Sequence, residues 1–443
     1  MERFLPVAIL AIPCLILPVR YLIFLSILGV GLADSKLVPL DYVYYLRFMP
    51  MGILCFRVVS DLKKKRFLRQ NSFSLLKSWL PFWAFSIISI AYSLEPLLSI
   101  QRVISAGFII LGFGIGIPLY FGNSKKMVAV LTLLTLVLGV GTLYSLCLAP
   151  GHKSIPAGDV DYERLYGIFK NPNTLGLLAM QLIFVLIYFW QREKNQISRK
   201  MLFVAAVAAG AAIAASGSRA SALGFSIGLL TFIFANAKIQ RSPLPSIQTV
   251  LVILFSIFMV VGFFFQEYSG GVFRTDTSSR MVVWERTWNL YQENAPLGVG
   301  FGGSDELIEK DALELHKKGI YAAGPHNSFL RLLLETGFIG VGLSLFAFTF
   351  IILRSWKYLL FLEDPKLGVV LLAVISASLV NSVFEEWVFG FGNSGAVPFW
   401  LFLGMLSQLT DEGSLRIKYW NQFRARRAFM ARIQDKIPNV SVK

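Results

Sequence analysis

Apolar residues run along this chain in blocks of about 20, the length a helix needs to cross a bilayer core about 30 Å thick at about 1.5 Å of rise per residue. The pattern predicts twelve such spans. The first six run approximately from Phe4 to Leu32, Asp41 to Ser60, Trp79 to Tyr92, Ser99 to Phe121, Met127 to Ala149 and Thr174 to Trp190. The second six run from Met201 to Ser216, Ala220 to Ala237, Gln248 to Gln266, Asn327 to Leu353, Leu367 to Phe389 and Ala396 to Leu409. Pro6, Pro13, Pro18 and Arg20 leave open whether the first is one helix or two short ones. The expectation is an all-α polytopic membrane protein forming a single integral membrane domain over residues 1–443. No cleavable leader is expected, because the first block lacks a small-residue cleavage site and leads straight into further spans.

Composition agrees. Of 443 residues, 55% are hydrophobic and 15% charged, against about 45–50% and 25% in an ordinary soluble chain. The three cysteines, Cys14, Cys55 and Cys147, all lie in apolar runs and offer neither a disulfide framework nor metal-ligand spacing. A formal charge of +16 would suggest a nucleic-acid partner in a soluble chain. Lys and Arg in short loops, however, mark the cytoplasmic side. With both termini inside, 26 of the 42 cations fall on that side, many in a basic tail over residues 410–443. The charge therefore implies membrane lipid, not nucleic acid.

Two segments on the outer side are long enough to hold structure, residues 150–173 and an outer helical loop over 267–325. In the second, Met281, Trp284, Trp288 and Tyr291 follow helical spacing, which predicts an amphipathic helix capped by Ser278 or Ser279 and lying along the membrane surface. Arg280 falls in its first turn. A short helix is expected from about Ser304 to Lys318. Between them, Gly298, Gly300 and Gly303 satisfy G-x-G-x-x-G, but without the strand before it that a nucleotide site requires; a turn with close backbone approach fits better. Gly324 and Pro325 read as the start of the tenth span, with His326 in its first turn. A neutral imidazole there can accept a proton near pH 7.

The turn between the seventh and eighth spans offers Ser218 as an N-cap and Arg219 as the first helical residue. An arginine at this depth needs a partner and is a functional candidate; guanidinium grips phosphate oxygens bidentately. In ERLYGIFKNPNTLG, Asn171 is expected to cap the sixth span with Pro172 at its first turn, placing Arg164, Lys170 and Asn173 at the outer mouth. Glu335, Glu385 and Glu386 are read as arginine partners, not catalytic groups. Asp305, Glu306, Glu309 and Asp311 are assigned to a solvated helical face.

Together these segments resemble the bacterial O-antigen ligase and O-antigen polymerase superfamily of integral membrane glycan transferases. The likeness rests on R-x-x-G-x-F-x-N-P-N at Arg164–Asn173, G-S-R-A at Gly217–Ala220, S-R-x-x-x-W at Ser279–Trp284, P-L-G-V-G-F-G at Pro296–Gly302 and P-H-N-S-F-L-R-L-L-L-E-T-G at Pro325–Gly337. It implies a GT-C type fold, an undecaprenyl-diphosphate-linked oligosaccharide donor, a glycan or lipid-linked glycan acceptor, and neither metal nor cofactor. It further implies that Arg219 and Arg280 bind the diphosphate and that His326 activates the acceptor hydroxyl, with inversion at the anomeric carbon. Arg164, Lys170, Asn173, Arg286 and Asn327 would complete the substrate site. The chain departs from the ligase pattern in having Gly324 and Pro325 before His326, where a second polar residue is often seen. A secondary transporter is the rival reading, but it predicts midplane charges and a two-fold repeat. A cell-wall glycan polymerase of the shape-and-division type would use an acid of the outer loop.

Overall fold

The computed structural model describes residues 16–36, 47–64, 73–147, 152–157, 160–241, 274–317 and 324–434. In chain order the helices are α1 (Val19–Ala33), α2 (Met49–Lys64), α3 (Ser74–Ser89), α4 (Pro96–Gly114), α5 (Gly116–Phe121), α6 (Ser124–Cys147), α7 (Pro172–Arg192), α8 (Gln196–Ala215) and α9 (Arg219–Gln240). There follow α10 (Arg274–Glu293), α11 (Asp305–Lys317), α12 (Ser328–Tyr358), α13 (Pro365–Phe384) and α14 (Ala396–Gln434). Among the described residues, eight helical segments are long and apolar enough to cross a membrane. Large apolar side chains also point outward, among them Phe56, Val140, Phe203, Val207, Phe346 and Leu353. Such a surface requires lipid around it. The chain is a multi-pass helical membrane protein. Every expected span overlaps a helix except the ninth, Gln248 to Gln266, which lies outside the described residues.

Helix polarity alternates. Asp364 at the start of α13 accepts from Tyr188 and Arg192 at the end of α7, and Arg354 near the end of α12 pairs with Asp411. The opposite ends of α7, α9, α12 and α13 therefore come together, and the candidate site forms there. α9 and α13 pack closely because α9 carries Gly224 and Gly228: a Cβ on Gly224 would lie 2.6 Å from the Ala377 carbonyl oxygen, and one on Gly228 would lie 2.7 Å from the Ala377 Cβ. Small residues four apart let membrane helices approach where larger ones would hold them off. The core is aromatic: the Trp79 ring meets Trp400 at 4.6 Å and Phe348 at 4.7 Å, both edge to face, a favoured geometry for such rings.

Three features depart from the expected pattern. Within the all-α fold expected and found, β1 (His152–Ala157) and β2 (Val160–Leu165) add a two-stranded antiparallel ribbon. Second, α12 breaks at Gly337, whose φ of 61° lies in the left-handed region. The glycine-rich segment 294–304 docks against this break, with Val299 N donating to Leu334 O at 3.0 Å, and a Cβ on Gly337 would stand 1.9 Å from Pro296 O. The glycines thus serve close backbone approach, as expected, but in a buried plug. Third, α10 begins at Arg274, so Ser278 and Ser279 lie inside the helix instead of capping it, and Arg280 sits beyond the first turn. The four positions of its expected face do not share one environment: Met281 is exposed, while Tyr291 is buried against Phe338.

Candidate active site

Asn171 caps α7 by accepting from Asn173 N, Ser218 caps α9 by accepting from Ser221 N, and Asn327 caps α12 by accepting from Phe329 N and Leu330 N. These three helix starts face the end of α13. There Glu385, the residue after the last helical turn, carries the carboxylate on which the site is built. Its Oε1 accepts from Asn173 Nδ2 at 2.6 Å and from Arg280 Nη2 at 3.3 Å, and its Oε2 stands 3.8 Å from His326 Nδ1. Arg280 also donates through Nη1 to Phe384 O at 3.2 Å. A cation there satisfies a carbonyl that helix ends leave open and meets the negative end of the helix dipole. Arg164, at the end of β2, donates to Ser216 O at 2.8 Å and to Asn173 Oδ1 at 2.5 Å. A chain of contacts thus runs from Arg164 through Asn173 and Glu385 to Arg280.

His326 precedes α12 instead of standing in its first turn, since the helix starts at Ser328. Its φ is 45°, a conformation that non-glycine residues adopt at a cost of about 1 kcal/mol or more. Neighbours hold it there. Trp284 on α10 donates to Pro325 O at 2.7 Å, while Ser328 Oγ donates to Glu385 O at 2.8 Å and accepts from Trp387 N at 3.1 Å. His326, Asn173, Glu385 and Glu386 line a cavity of about 180 Å³.

The other expected residues are placed differently. Arg219 opens α9 and is half-buried, next to the turn whose Ser216 carbonyl holds Arg164. Arg286 does not meet this group; it donates to Asp311 at 2.9 and 2.5 Å and lies 3.5 Å from Glu314. Asp311 stabilises its guanidinium and raises its pKa further. Lys170 donates to Ala33 O at 2.6 Å, fastening α7 to α1. Asn327 spends its side-chain oxygen on the helix cap. Nor is the acidic face of α11 uniformly solvated: Asp311 is buried, and Asp305 pairs with both Arg102 and Arg331.

That last pair belongs to a network the sequence reading missed. Arg331 contacts Asp305, Glu386 and the fully buried Glu335, and Glu335 also accepts from Ser304 at 2.8 Å. Arg331 and Glu335 stand four residues apart in a predicted apolar span, which was the available signal. Glu385 and Glu386 were expected as arginine partners, and both are; the convergence of Asn173, Arg280 and His326 on Glu385 was not legible. Among the described residues, no group of three or more His, Cys, Asp or Glu side chains is placed to hold a metal ion.

Fold and site define a membrane-embedded protein with a polar cavity, lined by His326, Asn173, Glu385 and Glu386, where four helix ends meet and where Arg280 pairs with the lining Glu385. Residues 204–346 match the family model described as O-antigen ligase. Over 302 residues the chain is 26% identical to a Rickettsia felis (strain ATCC VR-1525 / URRWXCal2) protein provisionally named a polysaccharide ligase, an alignment covering 62% of this chain and 68% of that one. The resemblance to the O-antigen ligase and polymerase superfamily read from the motifs is thereby borne out. The matched segment contains Arg219, Arg280 and His326, and leaves Arg164, Asn173 and Glu385 outside it.

Proposed function

We propose that this protein is a glycosyltransferase of the O-antigen ligase type, moving a saccharide from an undecaprenyl-diphosphate carrier to a sugar hydroxyl at the outward face of the bacterial inner membrane. The observation that carries the reading is the Glu385 carboxylate, which joins Arg280 and Asn173 on one oxygen and faces His326 with the other.

In the proposed reaction the acceptor oxygen attacks the anomeric carbon and the bond to the diphosphate breaks, the leaving group keeping the electron pair. Negative charge grows on the diphosphate. Arg280 is held by a backbone carbonyl and by Glu385, so it needs little reorganisation to meet that charge, and Arg219, at the start of α9, is proposed as a second cation. His326 takes the hydroxyl proton through the ring nitrogen remote from Glu385, and the imidazolium so formed is stabilised by the carboxylate 3.8 Å from Nδ1. Arg164 acts through Asn173, whose amide it orients toward Glu385.

The test uses the full chain in lipid nanodiscs, with an undecaprenyl-diphosphate oligosaccharide and either a lipid A-core acceptor or a second lipid-linked repeat. Wild type is expected to form product with one of the two, distinguishing ligase from polymerase. Arg280→Ala and His326→Ala are each expected to lower turnover at least about hundredfold. Full turnover in both variants would overturn the assigned roles.

A further inference from the structure

The cavity at Glu385, at about 180 Å³, falls below the roughly 300 Å³ at which small-molecule sites begin. It can hold reacting atoms but not a saccharide with its diphosphate. A second cavity of about 590 Å³ lies beside it, and Asn393 lines both. One wall is α4, which presents Leu98, Gln101, Ser105 and Phe108 at i, i+3, i+7 and i+10, a single helical face. The opposite wall is the segment 390–393. Arg47 Nη1 donates to Gly392 O at 3.0 Å, and its guanidinium stands 4.8 Å from the centre of the Phe48 ring. A side chain at Gly392 would collide with both, its Cβ lying 2.6 Å from Phe48 and 2.9 Å from the Arg47 guanidinium carbon. The backbone there must stay bare.

On the transferase reading above, we propose that this second cavity holds the sugar portion of a lipid-linked saccharide, with Asn393 at the passage to the reacting groups. The lining suits an amphiphile. Gln101, Ser105 and Asp34 offer donors and acceptors to hydroxyl groups, and the Phe48 and Phe391 rings offer apolar faces to a sugar. Asn393 Oδ1 accepts from Gly395 N at 2.9 Å, which leaves Nδ2 as the donor it can offer. Leu98, Phe108 and the exposed Ile104 supply an apolar side along which a lipid chain can run.

Ser105→Phe would fill the cavity, and Gln101→Ala, at an exposed position, removes a polar contact without touching the core. Both variants, in nanodiscs, are titrated with undecaprenyl-diphosphate oligosaccharide, with undecaprenyl diphosphate lacking sugar, and with lipid A-core; turnover is measured in parallel. Both are expected to weaken binding of one saccharide-bearing lipid about tenfold and to raise its KM alike, with kcat little changed and sugar-free carrier bound as by wild type. A loss confined to the oligosaccharide donor assigns the cavity to the donor; a loss confined to lipid A-core assigns it to the acceptor. Wild-type affinity for both saccharide lipids in both variants, or absence of binding by wild type itself, overturns the proposal. Should wild type bind but transfer nothing, the transferase reading fails while the binding data still decide the cavity.

Discussion

His326 Nδ1 and Glu385 Oε2 stand 3.8 Å apart, and the same carboxylate holds Asn173 and Arg280 through its other oxygen. One side chain thus positions the proposed base and a proposed diphosphate-binding cation together. On the proposed mechanism, Glu385→Ala lowers kcat about hundredfold with KM nearly unchanged, since the carboxylate acts on the reacting groups and not on the sugar. Glu385→Gln, which keeps the hydrogen bonds and loses the charge, falls between that variant and wild type. Steady-state kinetics on the nanodisc-embedded protein check both, and wild-type kcat in Glu385→Ala would sink the idea.

The two arginines of α10 separate cleanly. Arg286 is committed to Asp311 and Glu314 and is partly exposed, whereas Arg280 sits at the end of α13. Arg286→Ala is expected to change turnover by less than about threefold, because its guanidinium meets Asp311 and Glu314 and not the Glu385 group. Arg280→Ala is expected to abolish most of it. Equal losses in the two variants would show that sequence neighbours on this helix share one role.

Gly337→Ala tests the break in α12. The substitution puts a side chain on a left-handed residue and into contact with Pro296 O. Backbone strain alone costs about 1–3 kcal/mol, so thermal unfolding in detergent should shift downward by several degrees or more. An unchanged melting temperature would mean that segment 294–304 is not held against the break.

Arg331→Ala removes the cation that faces Glu335, Glu386 and Asp305. Stripping a buried carboxylate of its partner costs about 3–5 kcal/mol, a cost reduced here because Arg102 remains 3.7 Å from Glu335. The expected outcome is a sharp fall in the yield of folded protein by size-exclusion chromatography. The double variant Arg331→Met with Glu335→Met should recover part of it, because an apolar pair leaves less charge stranded.

The spans were legible because bilayer thickness fixes their length and lipid excludes charge, so Pro172–Arg192 and Arg219–Gln240 fall close to the expected blocks. Their caps, Asn171 and Ser218, were legible for a local reason: each serves a backbone N–H two or three residues away. What could not be read depends on contacts distant in sequence. Nothing near Glu385 reveals that Asn173, 212 positions away, will donate to it, and nothing near Arg286 shows that Asp311 will claim it instead of the cavity. The break at Gly337 was hidden for the same reason, because only the docked segment 294–304 explains it.

That break also alters where one part of the molecule stops and the next begins. The first turns of α12, from Ser328 to Thr336, contact segment 294–304 and carry the Asp305–Arg331 pair, yet Leu332 among them enters the main core, while Phe338 just past Gly337 meets Tyr291 of α10. The seam between segment 274–317 and the bundle runs along a helix the two share. Neither piece can be excised whole, so exchanging segment 274–317 between relatives would have to carry the start of α12 along with it.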